Sequence, residues 1–275
     1  MDQKTRFTFS GPSAWPLERA IQRAVDFGFT RVDFTSDGAA NYPATFTPER
    51  VAAVRTLAQD HGITLGIHSS SAVNMAEITP VMAAAADEYV RQNLELAEAL
   101  GCGYVICHGG FHFSSDVDAR FAASIERLRL ALQQAEQVGV DIYFENHNAE
   151  PEHAEIKYIP HTVAEMRRFF DVVASPRLKW ACNIGHALLV SDGYDGFLDA
   201  FGVERIGHVR LHDTNGIWEE HFLPGEGIVD FRSVFGSLTR RGYSGPFTLD
   251  FGTPEQRAHW RDQFAAILDE VTAGG

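Results

Sequence analysis

Short apolar runs, each too brief for a helix, alternate along this chain with longer segments in which apolar residues recur every three or four positions. The runs are RFTFS (6–10), RVDFT (31–35), ITLGIHS (63–69), YVICHG (104–109), DIYFEN (141–146), LKWACN (178–183), GHVRLHD (207–213) and PFTLDF (246–251). Their length and their β-branched and aromatic content predict strands. Between them, PLERAIQRAVDFG carries Pro16 near its start and Gly28 past its end, and TPERVAAVRTLAQDHG closes on Gly62, which is helix punctuation. Strand and helix in alternation predict parallel βαβ units. Eight of them in 275 residues fit an α/β fold of the (β/α)8 type, a TIM barrel formed as a single domain over residues 1–275. A doubly wound open sheet would call for a GxGxxG turn after an early strand, and the sequence has none.

Polar residues of catalytic type collect where these runs end. His68, His108, Glu145, Asn183, His212 and Asp250 fall at the carboxyl ends of predicted strands three to eight, the face on which barrel enzymes build their sites. One such histidine alone would read as a hydrogen-bonded structural residue. Six ligand-type residues ending six consecutive strands are different, because a closed barrel aims them all at one axis. Side-chain alternation puts His208, Arg210 and His212 on one face of strand seven. Arg210 then lies a layer below the mouth, where it either pairs with Glu145 or Asp250 or meets an anionic part of a substrate. Two loops add donors. NIGH sets His186 three residues after Asn183, and IWEEHFLPGEGIVDF (217–231) separates Glu219 and His221 by one residue, an extended spacing that points a carboxylate and an imidazole the same way. The loop after strand four brings Phe111, His112 and Phe113 to the mouth as an aromatic wall or a surface anchor, and His147 follows Glu145 as a substrate-facing or supporting residue.

With 45% apolar residues the chain can fill one large core. Its net charge of −14 repels polyanions, so nucleic acid is not an expected partner. Cys102, Cys107 and Cys182 lie in or beside apolar runs without CxxC spacing and read as reduced, buried thiols. The opening MDQKTRFTFSGPSAW has no apolar stretch suited to a signal peptide, and no later segment approaches the roughly 20 apolar residues that span a bilayer. The expected location is therefore the cytoplasm, with no membrane partner.

The passages IHSS, CHGG, FENHN, NIGHA, VRLHDTNGIWEEHFLPGEGIVDF and GYSGPFTLDF together resemble the xylose-isomerase-like barrels, a group that holds sugar-phosphate isomerases and epimerases and the endonuclease IV type of apurinic endonuclease. The resemblance covers nearly the whole chain. In the isomerase and epimerase branch it implies a divalent ion held at Glu145, Asn183, His212 and Asp250, two of which depart from that branch's Glu, Asp, His and Glu. In the nuclease branch a three-metal cluster adds His68, His108, His186, Glu219 and His221. The wording of HDTNG and EEHFLPGEG stands with the sugar enzymes. The resemblance thus implies a divalent-metal-dependent isomerase or epimerase of a small sugar or polyol-derived carbonyl compound, working by proton abstraction through a metal-bound ene-diolate. Glu145 and Asp250 would move the proton, and His186, His68, His108 and Arg210 would bind the substrate.

Oxygen and imidazole donors suit Mn²⁺, Mg²⁺, Co²⁺ and Zn²⁺ alike. Asn183 is expected at the metal's edge as a neutral oxygen donor that weakens the site. Asp250, one methylene short, must sit closer to the axis or reach the metal through water. The alternatives are a multi-zinc apurinic endonuclease-like phosphodiesterase and a metal-dependent sugar or inosose dehydratase. The implied partner is a small carbohydrate-type molecule, and dimers and tetramers in the group imply a homo-oligomer.

Overall fold

The computed structural model describes residues 2–113 and 115–274. Its eight parallel strands are β1 (Phe7–Ser10), β2 (Arg31–Thr35), β3 (Thr64–His68), β4 (Tyr104–Cys107), β5 (Asp141–Glu145), β6 (Leu178–Asn183), β7 (Ile206–Leu211) and β8 (Phe247–Leu249). They close into a barrel in chain order, with Phe9 opposite Val32 on one side of β1 and Phe7 opposite Phe247 on the other. The helices are α1 (Leu17–Asp26), α2 (Pro48–Asp60), α3 (Pro80–Leu100), α4 (Val117–Val138), α5 (Val163–Phe170), the single-turn α6 (Ile184–Ala187), α7 (Gly193–Phe201), α8 (Phe231–Arg240) and α9 (Pro254–Ala273). The (β/α)8 barrel read from the pattern is the fold. Its local signals act as expected: the Thr47 hydroxyl caps α2 by accepting from the Arg50 N–H at 3.3 Å, and Thr253 and Gln256 form a reciprocal capping box at α9. Gly28, at φ +75°, ends α1 in the left-handed region while the Phe29 N–H bonds back to the Ala24 carbonyl. Among the described residues no helix is long and apolar enough to cross a membrane, and Cys102, Cys107 and Cys182 are buried free thiols.

Alternation along the strands sorts the two faces of the barrel wall. Phe7, Phe9, Phe144, Trp180 and Phe247 face outward and pack against rings on the helices or at their ends, such as Phe264, Phe27, Phe169, Phe197 and Phe235. Burying each such ring contributes about 1.5–3 kcal/mol, so the main core lies between sheet and helices. The barrel interior departs from the usual stack of branched aliphatics. At its lower end Tyr104 and Tyr143 stack at 4.3 Å with His208 edge-on to both. Gly66 and Gly207 make this layer fit, because a Cβ on either would fall 2.1 Å from Tyr104 Cζ or 2.5 Å from Tyr143 Cζ. Above the tyrosines lie Asp33 and Arg210, each 1% exposed, and above those the mouth. A polar axis inside an apolar shell carries charged groups up to the mouth.

One small element has no counterpart in the apolar runs. Phe111–His112, after β4, pairs antiparallel with Lys157–Tyr158, after β5. This ribbon lays the aromatic residues of both loops at the rim, with Phe111 edge-on to Tyr158 at 6.1 Å.

Candidate functional site

Three strands bring the first donor set together. Glu145 ends β5 at 2% exposure, His68 ends β3, and His108 follows β4. Glu145 Oε2 lies 3.7 Å from His68 Nε2 and 3.6 Å from His108 Nε2, too far for hydrogen bonds, and neither Oε2 nor His68 Nε2 has another hydrogen-bond partner although both are buried. Orphaned buried groups of this kind call for an unseen partner. Ligand atoms bound at about 2.1 Å to a tetrahedral ion are about 3.4 Å apart, close to these separations.

The second set is assembled by backbone clamps. Asn146 joins the ends of β5 and β6: its Oδ1 accepts from Trp180 Nε1 and from the Asn183 N–H, both at 2.9 Å, and its Nδ2 donates to the Asn183 carbonyl at 3.0 Å. Asn183 caps α6, its Oδ1 accepting from the His186 N–H at 3.1 Å. Gly185 is required there, because a Cβ would fall 2.0 Å from His212 Cε1. The long loop after β7 is folded by Asp213, whose carboxylate accepts from the N–H groups of Gly225, Gly227 and Val229, each at 2.9 Å. This explains the spacing in HDTNGIWEEHFLPGEG. Gly225 adopts φ +91°, and a Cβ on Gly227 would collide with the Thr214 carbonyl. The loop so fixed presents Glu219 and His221 to His186 and His212.

The imidazoles of this set share one orientation. His186 Nδ1 donates to the Asn146 carbonyl at 2.9 Å, His221 Nδ1 to the Asp250 carbonyl at 2.5 Å, and His212 Nδ1 to the carbonyls of Glu220 and Asp213 at 3.1 and 3.2 Å. A carbonyl only accepts, so each Nδ1 carries a proton, which is how proteins orient ligand histidines. His186 Nε2 stands 3.6 Å from Glu219 Oε1, again near a tetrahedral edge, while His221 Nε2 is hydrogen-bonded to the same oxygen at 2.6 Å. His212 Nε2 faces Asn183 Oδ1 at 2.9 Å. Only a proton or a metal ion reconciles that lone pair with that acceptor. Burial and the neighbouring His221 and His186 push His212 down to about 3, so the ring is neutral and can offer one nitrogen to a metal ion. Burial also opposes the charge on His221, but Asp250 and Glu219 outweigh it and raise this imidazole to about 9. Burial opposes ionisation of Glu219 as well, yet the neighbouring His186 and His221 imidazoles hold it below the usual carboxylate range. His186, His212, Glu219 and His221 could hold a divalent ion that displaces the Nε2 proton of His221, and His68, His108 and Glu145 could hold another.

The four positions implied for a single ion meet differently. Glu145 Oε1 accepts from Asn183 Nδ2 at 2.9 Å, so the amide turns its NH₂ toward Glu145 and its oxygen toward His212. Asp250 gives Oδ2 to Arg210 Nη2 at 2.6 Å. Of the two roles open to Arg210, the structure shows the ion pair: Nη1 also lies 3.3 Å from Asp33 Oδ2 and Nε 3.5 Å from Glu145 Oε2. Burial works against both Glu145 and Asp250 as anions, but Arg210 outweighs it and holds them well below the ordinary range. Burial raises Asp33 instead, and Arg210 only partly offsets this.

A cavity of about 220 Å³ opens above this floor, lined by both histidine sets, Glu145, Asp250 and the loop residues His147, Asn148, Glu150 and Tyr158. His147 stacks on Tyr158 at 4.6 Å, and its buried Nε2 lacks a partner. The lining brings together His68, His108, Glu145, His186, Glu219, His221 and Asp250. Asn183, Arg210 and His212 lie beneath it, at 0–1% exposure. Asp33, Asn146, Asp213 and Tyr158 were not singled out from the sequence. Asp213, next to His212 in HDTNG, was the one with a visible signal, in the glycines that its carboxylate gathers.

Residues 21–270 match the family described as xylose isomerase-like TIM barrel. Fructoselysine 3-epimerase of Escherichia coli O157:H7 is 22% identical over 289 residues, covering 97% of this chain and 99% of its own. Among solved structures, a D-tagatose 3-epimerase-like protein superposes with a TM-score of 0.84 at 21% identity over 96% of this chain and 98% of its own. L-ribulose 3-epimerase does so with a TM-score of 0.81 at 17% identity, over 98% and 96%.

Proposed function

The chain belongs to the xylose isomerase-like TIM barrel family, and on that premise we propose that it is a divalent-metal-dependent epimerase or isomerase of a small polyhydroxylated carbonyl compound. The observation that carries this reading is two groups of imidazole and carboxylate donors around a small polar cavity: His186, His212 and His221, whose Nδ1–H groups are tied to backbone carbonyls, with Glu219, and His68 and His108 with the buried Oε2 of Glu145. The likeness to 3-epimerases supports a substrate of ketose type.

A bound divalent ion supplies Lewis acidity to a carbonyl oxygen and so acidifies the neighbouring C–H. The residues do the rest. Glu145 and Asp250 reach the cavity from β5 and from the end of β8, and Arg210 keeps both ionised, as proton acceptors must be. One removes the proton next to the carbonyl and passes it to solvent, and the other, after taking up a proton from solvent, returns it from its own side, giving the epimer. Tyr158 and the His147 ring form a flat wall against which a sugar carbon face packs. The ribbon of Phe111–His112 and Lys157–Tyr158 shields the rim from water.

The test is incubation with D-fructose, D-tagatose, D-psicose and L-ribulose in deuterated water with Mn²⁺, Co²⁺ or Zn²⁺. Deuterium entering at a carbon next to the carbonyl is the expected result, and its absence across a broad ketose panel contradicts the reading. A second reading, a multi-metal phosphodiesterase of abasic DNA, draws on the full complement of mouth histidines. The net charge of −14 weighs against a DNA substrate, and nicking of an abasic duplex by the same preparations would favour it.

A further inference from the structure

Arg210 is among the largest fully buried side chains, and three carboxylates, from β2, from β5 and from just past β8, converge on it. Its guanidinium spans the floor of the mouth, with Nη2 2.6 Å from Asp250 Oδ2, Nε 3.5 Å from Glu145 Oε2 and Nη1 3.3 Å from Asp33 Oδ2. It thus fills the gap between Glu145 and Asp250, the carboxylates that would otherwise face each other across the centre. Asn183 closes the remaining side, because the NH₂ it turns to Glu145 is a donor and repels a cation. The remaining donors lie on either side of this barrier. His68 Nε2 and Glu145 Oε2 are buried without hydrogen-bond partners on one flank, and Asn183 Oδ1 joins His186, His212, Glu219 and His221 on the other.

We propose that Arg210 is a built-in cation that replaces a metal ion at the centre of the mouth, so that divalent ions load only on the two flanks, at His68, His108 and Glu145 and at His186, His212, Glu219 and His221. The proposal rests on the metal-dependent reading and adds which residue sets the number and place of the ions. Its physical basis is charge. Among the described residues the floor of the mouth holds three carboxylates, all facing the one guanidinium of Arg210, and the His221 imidazole adds positive charge 3.5 Å from Asp250. Arg cannot be deprotonated in a protein, so the seat stays closed at any working pH. Arg210 is a positioning residue here: it fixes the carboxylate of Glu145 for the flanking set and keeps Asp250 off any ion.

Loading the whole protein with Zn²⁺, removing excess by gel filtration, measuring zinc per chain and locating it by anomalous diffraction tests this directly. Two zinc ions per chain are expected, one on each flank, with no peak among Glu145, Asn183 and Asp250. Asn183→Asp alone leaves the count at two, because Arg210 still fills the seat. Arg210→Met combined with Asn183→Asp raises it to three. A central peak in the natural protein, a third ion in Asn183→Asp alone, or a folded double variant that stays at two overturns the proposal while leaving the metal-dependent reading intact. Absence of zinc from both flanks overturns both. The natural protein and the single variant decide the matter even where the double variant does not fold.

Discussion

Glu145 meets more of the site than any other side chain: Asn183 on one oxygen, and His68, His108 and Arg210 around the other. Changing it to glutamine keeps the shape but removes the proton acceptor and the anionic donor. Glu145→Gln should lower kcat/KM by about 10²- to 10⁴-fold, the usual contribution of a positioned acid or base, and should weaken zinc retention on the His68–His108 flank. Steady-state rates with a ketose that the natural protein turns over, together with zinc content, check both. The residues at strand ends were legible in the sequence because a ligand-type side chain interrupting an apolar run is conspicuous. Asp33 was not, although it sits in RVDFT, since an acid between Val32 and Phe34 looks like ordinary strand alternation until its face is known to point inward at Arg210. Asn146 escaped for another reason: its work is done through backbone groups and the Trp180 ring nitrogen, contacts that exist only once β5 and β6 lie side by side.

The elements that were readable are those with a long period to read. Eight strands with apolar outer faces and helices with Pro or Thr at one end and Gly at the other carry their signals over many residues. The rim ribbon does not: two residues on each side give no period, and only the closed barrel brings Phe111–His112 beside Lys157–Tyr158. What anchors that ribbon yields a prediction. His161 Nδ1 lies 3.0 Å from Glu165 Oε2 in α5 and 2.8 Å from the Tyr158 carbonyl, and both side chains are about four-fifths buried. Burial opposes both charges, yet each partner outweighs it for the other, raising His161 and lowering Glu165. The histidine's share of stability is therefore complete below its unfolded pKa, near 6.5, and is lost as pH rises through the raised folded value. The glutamate's share is present above its unfolded pKa, near 4.3, and is lost as pH falls. The pair stabilises most between those limits. His161→Ala should lower Tm by a few degrees at pH 6, on the order of 1 kcal/mol, and by less at pH 9. Equal loss at both values would mean that the histidine acts by packing alone.

For the whole molecule, the barrel unites an apolar shell, which makes it stable, with a polar axis, which costs stability and makes it reactive. The carboxylates along that axis outnumber its one guanidinium, and the orphaned donors of the mouth add to the imbalance. Divalent ions that bind the folded state should therefore stabilise it. At about a hundred times Kd each site contributes roughly 2.7 kcal/mol, so Zn²⁺ or Mn²⁺ should raise Tm by several degrees over a chelated sample, as differential scanning calorimetry would show. The most direct test of the central claim, that ions held at the mouth drive proton transfer next to a carbonyl, is to strip the protein with a chelator and follow deuterium exchange into a ketose as metal is returned in steps. Exchange absent from the stripped protein and rising with each equivalent until the donor sets are filled is the predicted result. Exchange that is equally fast without metal, or that never appears when the sites are full, would contradict the account.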